Sequence, residues 1–360
     1  MPEMEDFFEQ QTSVVLRTIQ VFLGIIVIFL MVWILIIGKT IILPFMIALF
    51  LSFILDPIVS FLTRWKIPLS VSVLITLLFA SVILYLLGLL VYANAEMFVG
   101  QFPTYQVRMM ESLNKLGTTF ESWFGTPLDI AVWKDFDWLG TFRNYSIAKT
   151  VVESLGTFVT FVLKMLIVVI LIAYFLTGKR NLNKKIFVAF PDKRAKQVVG
   201  IIDNITHQIQ KYLGAKTLIS LITGVISIVI FYIFGLDFAV FWGFIIFLFN
   251  FIPNIGSTAA SVLPVLFSLL QFGSLGGAFW LGVSLVILQL TMGNIVEPRL
   301  MGYSLNLSPL IVILSLVFWG YIWGVAGMIL AVPILGTMAI IFENIKSLNF
   351  LSVFIRGKAK

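Results

Sequence analysis

An all-α fold, a polytopic bundle of membrane-spanning helices, is what this sequence predicts, and three observations predict it. The first is composition. Of 360 residues, 60% are hydrophobic and 11% charged, where a soluble domain carries about 25% charged residues. Mean hydropathy is +1.07. The second is length: apolar runs near the roughly 20 residues needed to cross a bilayer recur along the chain. The third is that Pro- and Gly-containing polar breaks divide the later runs into shorter pieces, which predicts re-entrant or broken hairpins.

The chain divides accordingly. Residues 1–93 hold three spans, at 14–37, 41–62 and 69–92. The first is not expected to be a cleaved signal peptide, because acidic residues lead it and no small-residue cleavage site follows. Gly38-Lys39-Thr40 ends like a phosphate-binding loop, but Trp33 stands where the first glycine is required. Asp56, before Pro57, is either an intramembrane carboxylate or an interfacial one near Arg64 and Lys66.

Residues 94–152 form an extracytoplasmic helical segment by expectation. Phe98, Phe102, Tyr105, Met109, Leu113, Leu116, Phe120 and Trp123 follow one another at spacings of three and four, close to a heptad seam. Two readings stay open: the helix lies on the membrane or on its own domain, or it pairs with a neighbouring subunit in a homo-oligomer. Trp123, Trp133 and Trp138 suit an interface.

Residues 153–178 are a fourth span containing Lys164, which is expected to be structural. Residues 179–214 are a basic loop with Lys179, Arg180, Lys184, Lys185, Lys193, Arg194, Lys196 and Lys211, and Lys216 follows. Within it Val198, Ile201, Ile202, Ile205, Ile209, Tyr212 and Leu213 make one apolar helix face. His207, the only histidine, stands on the polar face and reads as solvated. The net charge of +7 then marks topology and not nucleic-acid binding.

Residues 215–345 are the transport region by expectation, with 346–360 a cytoplasmic tail. After a span at 215–234, two short apolar halves flank Asn250-Phe251-Ile252-Pro253-Asn254-Ile255-Gly256. The run 310–342 is too long for one span and is divided by Gly320, Gly324, Gly327 and Pro333. Phe241-Trp242-Gly243 and Phe318-Trp319-Gly320 open these two regions alike, and paired interrupted segments point to a transporter's binding site. Between them lies Gly293-Asn294-Ile295-Val296-Glu297-Pro298-Arg299-Leu300-Met301-Gly302. Glu297 and Arg299 are the only charges between Asp237 and Glu343. An ionisable group at membrane depth costs at least about 2.5–3.5 kcal/mol on insertion scales, so it is a functional candidate by default. Pro298 is expected to interrupt the helix there.

The candidate substrate or ion site is therefore Glu297, Arg299, Asn294, Asn250, Pro253, Asn254 and Gly256. Freed backbone, amides and a carboxylate can replace the water around an ion or small polar solute. The alternative is a Glu297–Arg299 pair that only fixes a turn. No cysteine is present, so a thiolate metal site is excluded, and neither metal nor cofactor is expected. With one histidine and no nucleotide loop, an enzyme is not expected either. A membrane scaffold or assembly protein is the competing class.

Asn294-x-x-Glu297-Pro298-Arg299-Leu300-Met301-Gly302, the Phe-Ile-Pro-Asn-Ile-Gly break, Asp56-Pro57 and the Gly-rich tract from Trp319 to Pro333 resemble the autoinducer-2 exporter (AI-2E) family of prokaryotic membrane proteins. The resemblance covers most of the chain. It implies about eight hydrophobic segments and a secondary transporter in the cytoplasmic membrane. It implies export of a small polar solute such as autoinducer-2 or, in the alternative, sodium(lithium)/proton antiport.

The distribution of basic residues predicts that the loop at 179–214 is cytoplasmic, as are both termini, and that 94–152 is not. Because the chain has no native cysteine, Lys185→Cys can be labelled directly. It should resist an impermeant thiol reagent in intact cells and react after permeabilisation. Labelling in intact cells would reverse the orientation.

Overall fold

The structure, a computed structural model, describes residues 2–125, 147–253, 256–301 and 305–357. Among these it is helical throughout, apart from turns and one isolated antiparallel bridge between Leu307 and Arg356. Helices α1 (Pro2–Ile37), α2 (Lys39–Arg64) and α3 (Leu69–Phe124) come first. α4 (Ile147–Ala189) and α5 (Asp192–Phe234) follow. α6 (Ala239–Phe249), α7 (Gly256–Phe272) and α8 (Leu275–Thr291) form the next group. A π-turn (Met292–Val296) leads into α9 (Glu297–Met301), and α10 (Pro309–Trp323), α11 (Val325–Asn344) and α12 (Asn349–Ile355) complete the chain.

By length and composition six of these helices could cross a membrane, or seven if the bent α4 counts as one span. Their outward faces are apolar: Phe22, Ile28 and Phe29 of α1 are each more than 60% exposed. In water such a surface would be unfavourable, and in hydrocarbon it carries no penalty. The chain is thus an all-α polytopic bundle.

Four boundaries drawn from the sequence fall inside helices, those after residues 152 and 178 both within α4. α3 runs unbroken for 56 residues, about 84 Å at 1.5 Å per residue, so the third span and the chain beyond it as far as Phe124 are one helix. The boundary between residues 214 and 215 likewise lies within α5. α4 is bent by 60° between Met165–Gly178 and Leu182–Ala189.

Part of the heptad-like seam on α3 is used inside the chain. Phe98 and Tyr105 pack with Phe238, at the start of α6, and with Phe267, near the end of α7. Tyr105 Oη donates to Asp237 Oδ2 at 2.8 Å, and the side chain of Gln271 bridges the Asp237 amide and the Gly235 carbonyl. Burial and then the hydrogen bond to Asp237 hold the Tyr105 hydroxyl above the usual phenol range. The seam's remaining side chains from Phe102 to Trp123, along with Trp133, Trp138 and Lys164, lie outside the described residues.

The same junction shows that α6 and α7 form a re-entrant hairpin. The start of α6 and the end of α7 meet at one end of the bundle, and the Asn250–Gly256 break is the tip. Eleven residues of α6 reach about 16 Å, roughly half the hydrocarbon thickness. At the tip, a Cβ on Gly256 would stand 1.9 Å from the Phe249 carbonyl oxygen. Only glycine lets the chain fold back that closely. The hairpin lies against α5 through an equally close contact. A Cβ on Gly243 would meet Ile228 Cγ1 at 2.2 Å and the Gly224 carbonyl oxygen at 3.0 Å.

The second interrupted region is a hairpin of α10, 15 residues, and α11, 20 residues, and its break is Gly324 alone, at φ +67°. Gly320 and Gly327 are instead close-packing positions, and Pro333 is buried within α11. Trp323 Nε1 donates to the Leu35 carbonyl at 3.2 Å, tying this turn to α1. α11 sits in the core that joins α2, α5 and α10. α12 folds back onto it, with Arg356 paired to Glu343.

Pro298 does not interrupt the helix, contrary to expectation. The π-turn places the Glu297 N–H on the Met292 carbonyl, so Pro298 falls in the first turn of α9, where its missing N–H leaves no bond unmade. Helical backbone therefore continues from Leu275 to Leu300.

Gly243→Val should push α6 away from α5 and lower the melting temperature of the detergent-solubilised protein. Overpacking of this kind costs about 1–3 kcal/mol. An unchanged melting temperature would show that the two helices are not held at this distance.

Candidate functional site

The site is built on one face of α5. Lys216, Ser220, Thr223 and Ser227 recur at spacings of four, three and four, and all are buried. In an otherwise apolar span this is a polar stripe. Thr223 and Ser227 return their hydroxyls to carbonyls one turn back, those of Ile219 and Thr223. Ser220 accepts a hydrogen bond from Asn250 Nδ2 at 3.1 Å. The tip of the re-entrant hairpin is thereby fixed to the stripe, one turn beyond Lys216. On the far side of the hairpin, Gln289 of α8 donates to Ser261 of α7 at 3.1 Å.

Lys216 is the residue that decides the chemistry. Its side chain is only 2% exposed, and Nζ lies 2.6 Å from Glu297 Oε1, whose side chain is 26% exposed. A buried ammonium is tolerated only when its charge is matched. Glu297 matches it, while its own partial exposure leaves one side of the carboxylate open to a second ligand or to water. Tyr212, one turn before Lys216 on α5, is buried too, so the pair has an apolar floor on that side.

The sequence candidates distribute unevenly around this pair. Glu297 and Asn250 meet the α5 stripe directly. Pro253 is half-buried and Gly256 buried at the hairpin tip. Asn294 and Arg299 are exposed, and the ion pair that forms is Glu297 with Lys216, not with Arg299. Asn254 lies outside the described residues. Lys216 was missed because it follows a run of solvated lysines. Its spacing from Ser220, Thr223 and Ser227 was the available signal. Asp56 serves elsewhere, accepting from Gln210 Nε2 at 2.7 Å and joining α2 to α5. His207 is exposed. Among the described residues no group of three or more His, Cys, Asp or Glu could hold a metal ion.

Lys216→Met and Glu297→Gln should each lower the melting temperature in detergent, since each leaves a polar group buried without its partner. The double variant should lose less than the sum, with a coupling energy of about 1–3 kcal/mol. Strict additivity would mean that the two side chains do not interact.

The family model described as "AI-2E family transporter" matches residues 23–347. The AI-2 transport protein TqsA of Escherichia coli is 33% identical over 309 residues, covering 84% of this chain and 86% of TqsA. A Borreliella burgdorferi protein, provisionally named a transport protein, is 29% identical over 343 residues, 95% of this chain and 91% of its own. Escherichia coli YhhT, with a similar provisional name, is 28% identical over 320 residues, 88% of each chain. With the family model matched across nearly the whole bundle, this chain belongs to the AI-2E transporter family.

Proposed function

We propose that this protein is a secondary transporter that exports a small polar solute, with the Lys216–Glu297 pair as its coupling device. The observation that carries the reading is a buried lysine paired with a partly accessible carboxylate, next to the tip of a re-entrant hairpin. In a coupled transporter the site must change charge as the driving ion binds. A proton or sodium ion arriving at Glu297 competes with the ammonium of Lys216. When it wins, Lys216 loses its counter-charge and must move or lose its own proton. That links ion binding to the packing of α8 and the π-turn against α5. The hairpin's Asn250–Ser220 contact, one turn away, is placed to respond.

The solute is taken as autoinducer-2-like, since TqsA, 33% identical to this chain, is named for AI-2 transport. Sodium(lithium)/proton antiport is the alternative, and the same pair serves it without a solute. In this reading the basic loop faces the cytoplasm and both termini lie there. The membrane is the bacterial inner membrane. A scaffold role would need neither the buried pair nor the hairpin.

Flux in proteoliposomes tests the proposal, with autoinducer-2 and with sodium, across a range of pH. Glu297→Gln, compared at equal amounts of folded protein, should remove the pH dependence and cut flux by at least about tenfold, the loss of one charge-assisted contact. Glu297→Asp should retain part of it. An unchanged pH profile in Glu297→Gln would make the pair purely structural.

A further inference from the structure

One cavity of the described bundle lies away from the Lys216–Glu297 pair. It lies between α2, α4 and α5, has a volume of about 500 Å³, and is bordered by Asp56, Tyr174, Asn183, Lys185, Asp203 and Thr206 among others. That volume is within the roughly 300–1,000 Å³ of small-molecule sites. Its cause is the 60° bend of α4 between Gly178 and Leu182, which carries Asn183 and Lys185 to its wall.

Two features define what it could hold. The first is depth. Asp56 is two turns before Arg64, the last residue of α2. Lys184 and Lys185 follow the apolar part of α4. The cavity therefore sits where apolar spans give way to charged sequence, the level of lipid headgroups. Leu166, Ile170 and Tyr174, each four residues apart and each more than half exposed, form one outward line on α4. The bilayer-facing surface of α4 thus leads into the mouth of the cavity. The second feature is charge. Two carboxylates and one ammonium border a single space, which the amide of Asn183 and the hydroxyl of Thr206 also line.

We propose that this cavity binds the headgroup of an ethanolamine phospholipid. Asp56 and Asp203 take the primary ammonium, and Lys185 takes the phosphate, with Asn183 and Thr206 on its remaining oxygens. Tyr174 lies along the first part of an acyl chain. Choline headgroups offer no N–H to the carboxylates, and glycerol headgroups offer no cation. The bound lipid bridges the three helices that carry the site, α2, α4 and α5, and it does so independently of the transport reading.

The test is native mass spectrometry of the detergent-solubilised protein with equimolar phosphatidylethanolamine, phosphatidylcholine and phosphatidylglycerol of identical acyl chains. Phosphatidylethanolamine should be retained in preference to both by about tenfold, the loss expected for one charged hydrogen bond. Asp203→Asn, at an exposed position, should abolish the preference without disturbing the fold. Asp56→Asn should do the same while keeping an acceptor for Gln210. Equal retention of the three lipids, or an unchanged preference in Asp203→Asn, overturns the proposal. A soluble competitor separates the sources of this chemistry: if glycerophosphoethanolamine displaces the lipid at equal concentration, the cavity is a solute site and the lipid assignment fails.

Discussion

An ammonium group held inside an apolar bundle constrains everything near it. Lys216 cannot be left unmatched at 2% exposure, so a carboxylate has to be delivered to it from another helix. Glu297 arrives on α8 and its π-turn. The hairpin packs beside it because Gly224 and Gly243 allow α6 to approach α5 at backbone distance. The stripe from Lys216 to Ser227 then has its polar groups met by Asn250, by Glu297 and by its own backbone. Where a membrane protein departs from plain spanning helices, the freed groups must find partners within the protein. Here those partners converge on one face of α5.

The end of the bundle away from the pair is closed by different means. Aromatic packing among Phe98, Tyr105, Phe238 and Phe267 gathers α3, α6 and α7. The Tyr105–Asp237 and Gln271 hydrogen bonds fix the turns on either side of the hairpin. α3 thus braces the mouth of the hairpin from its outer portion. The hairpin is held at its mouth by α3 and at its tip by Ser220, with its middle packed on α5.

Much of this was legible in the sequence. The apolar runs gave the spans, and Asn250 to Gly256 gave the hairpin, because Pro, Gly and amides in a short apolar setting have few other uses. Glu297 stood out as a lone acid in a long uncharged stretch. Its partner was harder to see. Arg299 was the nearest opposite charge in sequence, yet two positions apart on a helix point to different sides. Lys216 is 81 residues away, and nothing local distinguishes it from the solvated lysines before it. The continuity of α3 was also hidden, since a drop in hydropathy near Asn94 reads as a domain boundary although the backbone runs on. Pro298 misled for a related reason: its effect depends on the hydrogen-bond register before it.

That register has a consequence for sign. The inward positions of α8 are Leu281, Leu285, Leu288 and Met292, at steps of four and three. Carried forward as an ordinary α-helix, the same rhythm would bring Ile295 and then Arg299 to the face of α5, setting a guanidinium in front of an ammonium. The π-turn takes up one additional residue and rotates the face that follows Met292, so that Glu297 meets Lys216 and Arg299 turns outward. A single widened turn of backbone thus determines whether Lys216 meets attraction or repulsion.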